Sequence, residues 1–163
     1  MPCHASTQIK SLLLITLISA SGAASSLSPE RIFKQASPSV VTVYAVGKST
    51  NSQGSGVVVS KGMVLTNCHV LTGATVITVV SGKTLLPATL AEQDLPRDLC
   101  SLYVDGLAAP PAEIAKSSAA RIGQCVYAIG SPRGLSNTLP DGLLSAIRQR
   151  NSNTLLQTAA PIT

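Results

Sequence analysis

The chain has 163 residues, 45% of them hydrophobic and 12% charged, with one Phe, three Tyr and no Trp. That balance excludes a disordered polyelectrolyte and describes a globular chain. The formal charge of +5 comes from basic residues scattered singly, and with so few aromatic rings to stack on bases it gives a mildly basic soluble exterior rather than a nucleic-acid surface.

The first predicted element is a secretory signal peptide over residues 1–24. Lys10 heads the apolar stretch Leu12-Leu13-Leu14-Ile15-Thr16-Leu17-Ile18, which is too short to span a bilayer comfortably, and Ser21-Gly22-Ala23-Ala24-Ser25 offers cleavage after Ala23 or Ala24. An uncleaved anchor is the alternative. The expectation is a periplasmic or secreted chain without a stable membrane anchor. Cys3 leaves with this segment, and Cys68, Cys100 and Cys125 remain, most simply as one bridge and one free thiol. No Cys-x-x-Cys pair accompanies them, so no metal site is expected.

Ser28-Pro29-Glu30-Arg31-Ile32-Phe33-Lys34-Gln35-Ala36 combines a capping serine, a proline suited to the first helical position and an acid in the first turn, which predicts a short helix ending before Pro38. β-prone runs broken by turn signals follow at 39–46, 54–60, 63–70, 74–80, 84–91 and 99–104. Six such runs without a long amphipathic helix predict a small antiparallel barrel or sandwich. Leu107-Ala108-Ala109-Pro110-Pro111-Ala112 reads as a connector, and three further strands are expected at 124–129, 141–148 and 155–160. Three strands do not close a second barrel. The organisation predicted is therefore a signal peptide (1–24), a first barrel with its helix (25–106), a connector (107–123) and an incomplete second barrel (124–163).

His69, in Thr66-Asn67-Cys68-His69-Val70, is the one histidine outside residues 1–24. Any imidazole acid–base chemistry near neutral pH falls to it, although a lone histidine also serves as a structural residue. It ends an apolar run in which Gly62 marks a hairpin turn, so it is expected at a strand-to-loop junction. Asp98 heads the apolar stretch Leu99-Cys100-Ser101-Leu102-Tyr103-Val104. It suits either the carboxylate that orients a histidine base or a solvated turn position.

Five ordered motifs carry a resemblance: Gly54-Ser55-Gly56-Val57-Val58, Leu65-Thr66-Asn67-Cys68-His69-Val70, Arg97-Asp98-Leu99-Cys100-Ser101-Leu102, Val126-Tyr127-Ala128-Ile129-Gly130-Ser131-Pro132-Arg133-Gly134 and Gly142-Leu143-Leu144-Ser145-Ala146-Ile147-Arg148. Together with Ser37-Pro38-Ser39-Val40-Val41 they resemble the trypsin-like serine peptidases of the bacterial HtrA (Deg) branch, over roughly residues 28–163. The resemblance implies an all-β fold of two chymotrypsin-like barrels, here with the first complete and the second truncated. It also implies a cleft between them, polypeptide substrates, a His-Asp-Ser triad and no cofactor. By resemblance His69 is the general base and Asp98 its orienting carboxylate.

The nucleophile of that family lies in a Gly-x-Ser-Gly-Gly loop after a strand similar to 155–162, and no such motif occurs in this sequence. Ser55 matches the second strand and Ser131 a turn, so neither replaces it. The expectation is a fragment of a serine endopeptidase that is inactive as given, since both the serine and part of the oxyanion hole are missing. The competing reading is a non-catalytic peptide-binding or remnant module on a protease-like barrel. Cys68 and Cys100 flank the two presumed catalytic residues, so a fold that joins His69 to Asp98 brings them together, as a bridge or as a packed thiol pair. A cysteine nucleophile fits poorly, because neither stands at the nucleophile's place in the chain order. Cys125 is expected as a small buried residue.

Overall fold

The computed structural model describes residues 27–130, 137–150 and 153–161. The expected signal peptide and residues 131–134 of the fourth motif lie outside them. Among the described residues, no helix is long and apolar enough to cross a membrane.

Helix α1 (Pro29–Ala36) begins as its sequence predicts: Ser28 is the N-cap, its Oγ accepting from the Arg31 N–H at 3.3 Å, and Pro29 opens the first turn, where an N–H would have no helical partner anyway. Pro38 then stands in a short 3-10 turn, Ser37–Ser39, which delivers the chain into the sheet.

Six antiparallel strands, β1 (Val40–Val46), β2 (Asn51–Ser60), β3 (Met63–Thr66), β4 (Val76–Ser81), β5 (Thr84–Asp94) and β6 (Leu99–Tyr103), close a barrel in the order β1-β2-β3-β6-β5-β4. Side chains alternate in and out along β1, so Val41, Val43 and Ala45 are buried. Val58, Val64, Val79, Leu102 and Val104 meet them in the interior. Short branched side chains suit so narrow a barrel, and each one fully buried contributes about 1.5–3 kcal/mol. Gly56 shows how tightly β2 crosses this interior. A Cβ there would lie 2.5 Å from a Val64 methyl. Gly62 turns the β2–β3 hairpin at φ +71°, a conformation open to glycine without strain.

The run expected as one strand over 63–70 is divided. β3 ends at Thr66, and Cys68–Leu71 form a 3-10 turn. The reason is non-local: the Cys68 N–H donates to the Asp98 carbonyl at 3.3 Å, and the Asn67 amide to the same oxygen at 3.0 Å. The first of these keeps the β3–β6 register past Thr66 and Cys100, and the chain turns off at His69, whose N–H goes to the Asp98 carboxylate instead. The connector is packed rather than free, with Leu107 buried in the barrel core and the Ala112 N–H donating to the Val58 carbonyl at 2.8 Å.

β7 (Cys125–Tyr127), β8 (Asp141–Arg150) and β9 (Asn153–Thr158) form an open three-stranded sheet in the order β7-β8-β9. Leu143, Leu155 and Leu156 on it remain 45–48% exposed. The chain therefore holds one closed six-stranded barrel and a partial second sheet. It is the all-β, chymotrypsin-like arrangement that the motifs imply.

Cys68 and Cys100 are joined, with an S–S distance of 2.12 Å, and Cys125 is disulfide-bonded as well. Among the described residues no cysteine is free; the expected one bridge and one thiol were counted without residues 1–24, which lie outside the described residues. Cys125 is only half-buried, on an edge strand, where a thiol is accessible to pairing.

Candidate active site

Two segments that are far apart in sequence build the site. His69 stands on the 3-10 turn Cys68–Leu71, entered through Asn67 in extended conformation (φ −76°, ψ 138°). Asp98 caps another 3-10 turn, Leu95–Arg97, in the left-handed region at φ 54° and ψ 42°. It is the only non-glycine with positive φ among the described residues. Aspartate tolerates that region better than most residues, and the twist aims its carboxylate across to the other turn.

The carboxylate binds His69 twice. Oδ1 accepts the His69 backbone N–H at 2.8 Å, and Oδ2 lies 2.6 Å from ring Nδ1. Asn67 adds a third bond, its Nδ2 donating to Oδ2 at 3.1 Å. The hydrogen bond from the His69 ring, followed by that from its backbone N–H, holds the Asp98 carboxyl below the usual carboxylate range. An ionised Asp98 makes Nδ1 the proton-bearing ring nitrogen, which leaves Nε2 with the lone pair. Both side chains are open to solvent, His69 at 70% and Asp98 at 42%. So exposed a pair adds little to stability, and its value lies in the chemistry it can perform.

His69 borders a cleft of about 820 Å³ between the barrel and the second sheet, walled by Gln53, Gly54 and Ser55 on one side and by Ile129, Gly130 and Leu139 on the other. Ser55 belongs to the ladder of β2, opposite Thr42, and its carbonyl accepts the Thr66 hydroxyl at 2.9 Å. A wider groove of about 1090 Å³ runs behind Asp98 past Arg97 and Asn153, whose side chains are hydrogen-bonded at 3.2 Å. It does not include His69. Among the described residues, no three His, Cys, Asp or Glu side chains converge as a metal cradle would require.

His69 and Asp98, read from sequence as candidates, thus lie in direct contact, and Cys68 and Cys100 sit beneath them. Asn67 carried no assignment in the sequence, although it stands within the histidine motif. A polar amide in an otherwise apolar run was the one signal that could have marked it.

Residues 54–163 match the model of the trypsin-like peptidase domain. The chain belongs to the trypsin-like peptidase domain family. Within this family its similarity is to HtrA-type proteins. It is 39% identical over 127 residues to a mitochondrial serine protease HTRA2 of Drosophila pseudoobscura pseudoobscura, a match covering 70% of this chain and 30% of that protein. It is also 39% identical over 101 residues to a probable periplasmic serine endoprotease, DegP-like, of Pseudomonas savastanoi pv. phaseolicola, covering 61% and 21% of the two. The solved structure of the HtrA-type protease AlgW with tripeptide superposes with a TM-score of 0.77 at 31% identity, over 83% of this chain and 47% of that one. The chain spans less than a third of the length of these curated relatives and about half of this solved trypsin-like peptidase.

Proposed function

We propose that the chain supplies the base and the orienting carboxylate of an HtrA-type serine endopeptidase acting on polypeptides. The observation that carries this reading is the 2.6 Å contact between His69 Nδ1 and Asp98 Oδ2, made across 29 positions of sequence at the rim of the cleft between the barrel and the second sheet. His69 Nε2 takes the proton of a serine hydroxyl as its oxygen attacks the scissile carbonyl, then returns it to the leaving amine. Asp98 holds the ring in the required tautomer and stabilises the imidazolium between those two transfers.

The serine in this reading lies C-terminal to Ala160-Pro161, because the sequence contains no Gly-x-Ser-Gly-Gly. The 163 residues by themselves are then inactive, lacking both nucleophile and oxyanion donors. Residues 1–24 serve as the export signal. Likeness to a protein described as a probable periplasmic endoprotease supports that placement.

The test is fluorophosphonate labelling of the longest natural polypeptide that contains this sequence. Labelling of a serine beyond Pro161, abolished by His69→Ala, is the expected result. A folded long form that takes no label overturns the reading in favour of a non-catalytic module.

A further inference from the structure

The bridge between Cys68 and Cys100 stands at a fork in the backbone. β3 and β6 pair as far as Thr66 opposite Cys100. Beyond that pair the Cys68 N–H still meets the Asp98 carbonyl at 3.3 Å, and there the chains part, one into the turn that carries His69 and the other towards the Leu95–Arg97 turn. Cys68 immediately precedes His69, and Cys100 follows Asp98 by two positions. Their Cα atoms are 5.0 Å apart, so the covalent link spans the point where the ladder ends and the catalytic pair begins.

Burial divides this region into an inner and an outer layer. Cys68 and Cys100 are 7% and 2% exposed, whereas the His69 and Asp98 side chains face solvent. Water competes for every hydrogen bond of an exposed pair, so those side chains cannot by themselves hold the fork closed. A buried covalent bond meets no such competition. Both cysteines are buried with the core residues, beside the contiguous Val and Leu cluster that runs from Val41 to Leu107.

We propose that Cys68–Cys100 is a positioning pair for His69 and Asp98, so that a dithiol reductant loosens this pair while the barrel stays folded. The proposal rests on the reading of His69 and Asp98 given above. In the step itself the S–S bond breaks and two thiols form, taking two electrons and two protons from the dithiol, which closes to its own cyclic disulfide.

The experiment follows the low-field proton resonance of the His69 ring Nδ1–H in the full 163-residue chain carrying Cys125→Ser, so that dithiothreitol acts on Cys68–Cys100 and not on a bridge to Cys125; the signal is assigned by its loss in Asp98→Asn. Expected in the oxidised chain are a resolved signal and no alkylation of Cys68 or Cys100. After dithiothreitol, both residues alkylate and the ring proton exchanges with water at least tenfold faster, with the amide dispersion of the barrel retained. An exchange rate unchanged by reduction overturns the proposal alone. Alkylation of both cysteines without reductant also overturns it. Absence of the signal from the oxidised chain also overturns the proposal, because the bridge then does not hold the exposed Nδ1–H against exchange with water, whereas the reading of the pair stands or falls by the serine-labelling test. Should reduction unfold the barrel, Cys68→Val with Cys100→Ala keeps apolar packing without the bridge. In that variant a folded barrel with fast exchange supports the proposal, while slow exchange or an unfolded chain overturns it.

Discussion

One carboxylate grips one residue at two points: Asp98 accepts the His69 backbone N–H through Oδ1 and faces ring Nδ1 through Oδ2, at 2.8 and 2.6 Å. Main chain and side chain of His69 are thus oriented by the same group. Removing its charge should disturb chemistry far more than folding.

Asp98→Asn tests that separation. An amide presents an N–H where an acceptor is needed and favours the wrong imidazole tautomer, so in an active long form kcat should fall by about 10⁴-fold with KM little changed. Steady-state kinetics with a peptide substrate check this. A fall of less than tenfold would remove Asp98 from the mechanism.

The lowered Asp98 pKa sets a direction for acid sensitivity. Because the folded value lies below the unfolded one, its stabilising contribution is fully present above the ordinary carboxylate pKa of about 3.9 and is lost as pH falls through the lower folded value. Urea titrations across that window should show wild type losing stability more steeply than His69→Ala, which lacks the foremost cause of the shift. Equal slopes would disprove the linkage.

Asn67 donates to both the carboxylate and the carbonyl of Asp98. Asn67→Ala should cost about 1 kcal/mol in urea unfolding, with Asn67→Ser recovering part of it. In an active long form kcat should drop roughly tenfold without a matching rise in KM, a modest loss because the two bonds from His69 persist.

The barrel core predicts a larger effect of another kind. Leu102 is fully buried among Val58, Val64 and Val104, so Leu102→Ala should destabilise by about 2–5 kcal/mol, read as a lower urea midpoint. Gly56→Ala acts by excess volume instead, its Cβ pressing on Val64, and should cost about 1–3 kcal/mol.

The Cys68–Cys100 bridge closes a sequence separation of 32 residues, worth roughly 3–4 kcal/mol on a chain-entropy estimate. That is less than the combined burial of Val41, Val43, Val58, Val64, Val79, Leu102 and Val104. A reduced chain should therefore melt lower yet remain cooperative by circular dichroism; a non-cooperative reduced form would contradict this ranking.

Features governed by neighbouring residues were legible in the chain itself. Ser28 and Pro29 mark the start of α1, Gly62 the β2–β3 hairpin, and alternating valines the inward face of β1, because caps, turns and pleats depend on atoms only a few bonds apart. The ends of the strands beyond Gly62 were less so: β5 runs on to Asp94, and β9 begins at Asn153 rather than 155. Ladder partners rather than propensity decide where pairing stops.

His69 and Asp98 could be named from chain order and resemblance, His69 being the one histidine outside residues 1–24 and Asp98 an acid at a strand head. Their contact could not be read that way. It requires the pairing of β3 with β6 to carry position 69 to position 98, a 3-10 turn that no local propensity specifies, a left-handed backbone at Asp98, and an Asn67 amide whose partners lie 31 positions away. Composition and periodicity select elements because they report local sterics and burial; the geometry of the His69–Asp98 pair belongs to the closed barrel, where non-local hydrogen bonds override the strand preference of residues 67–70.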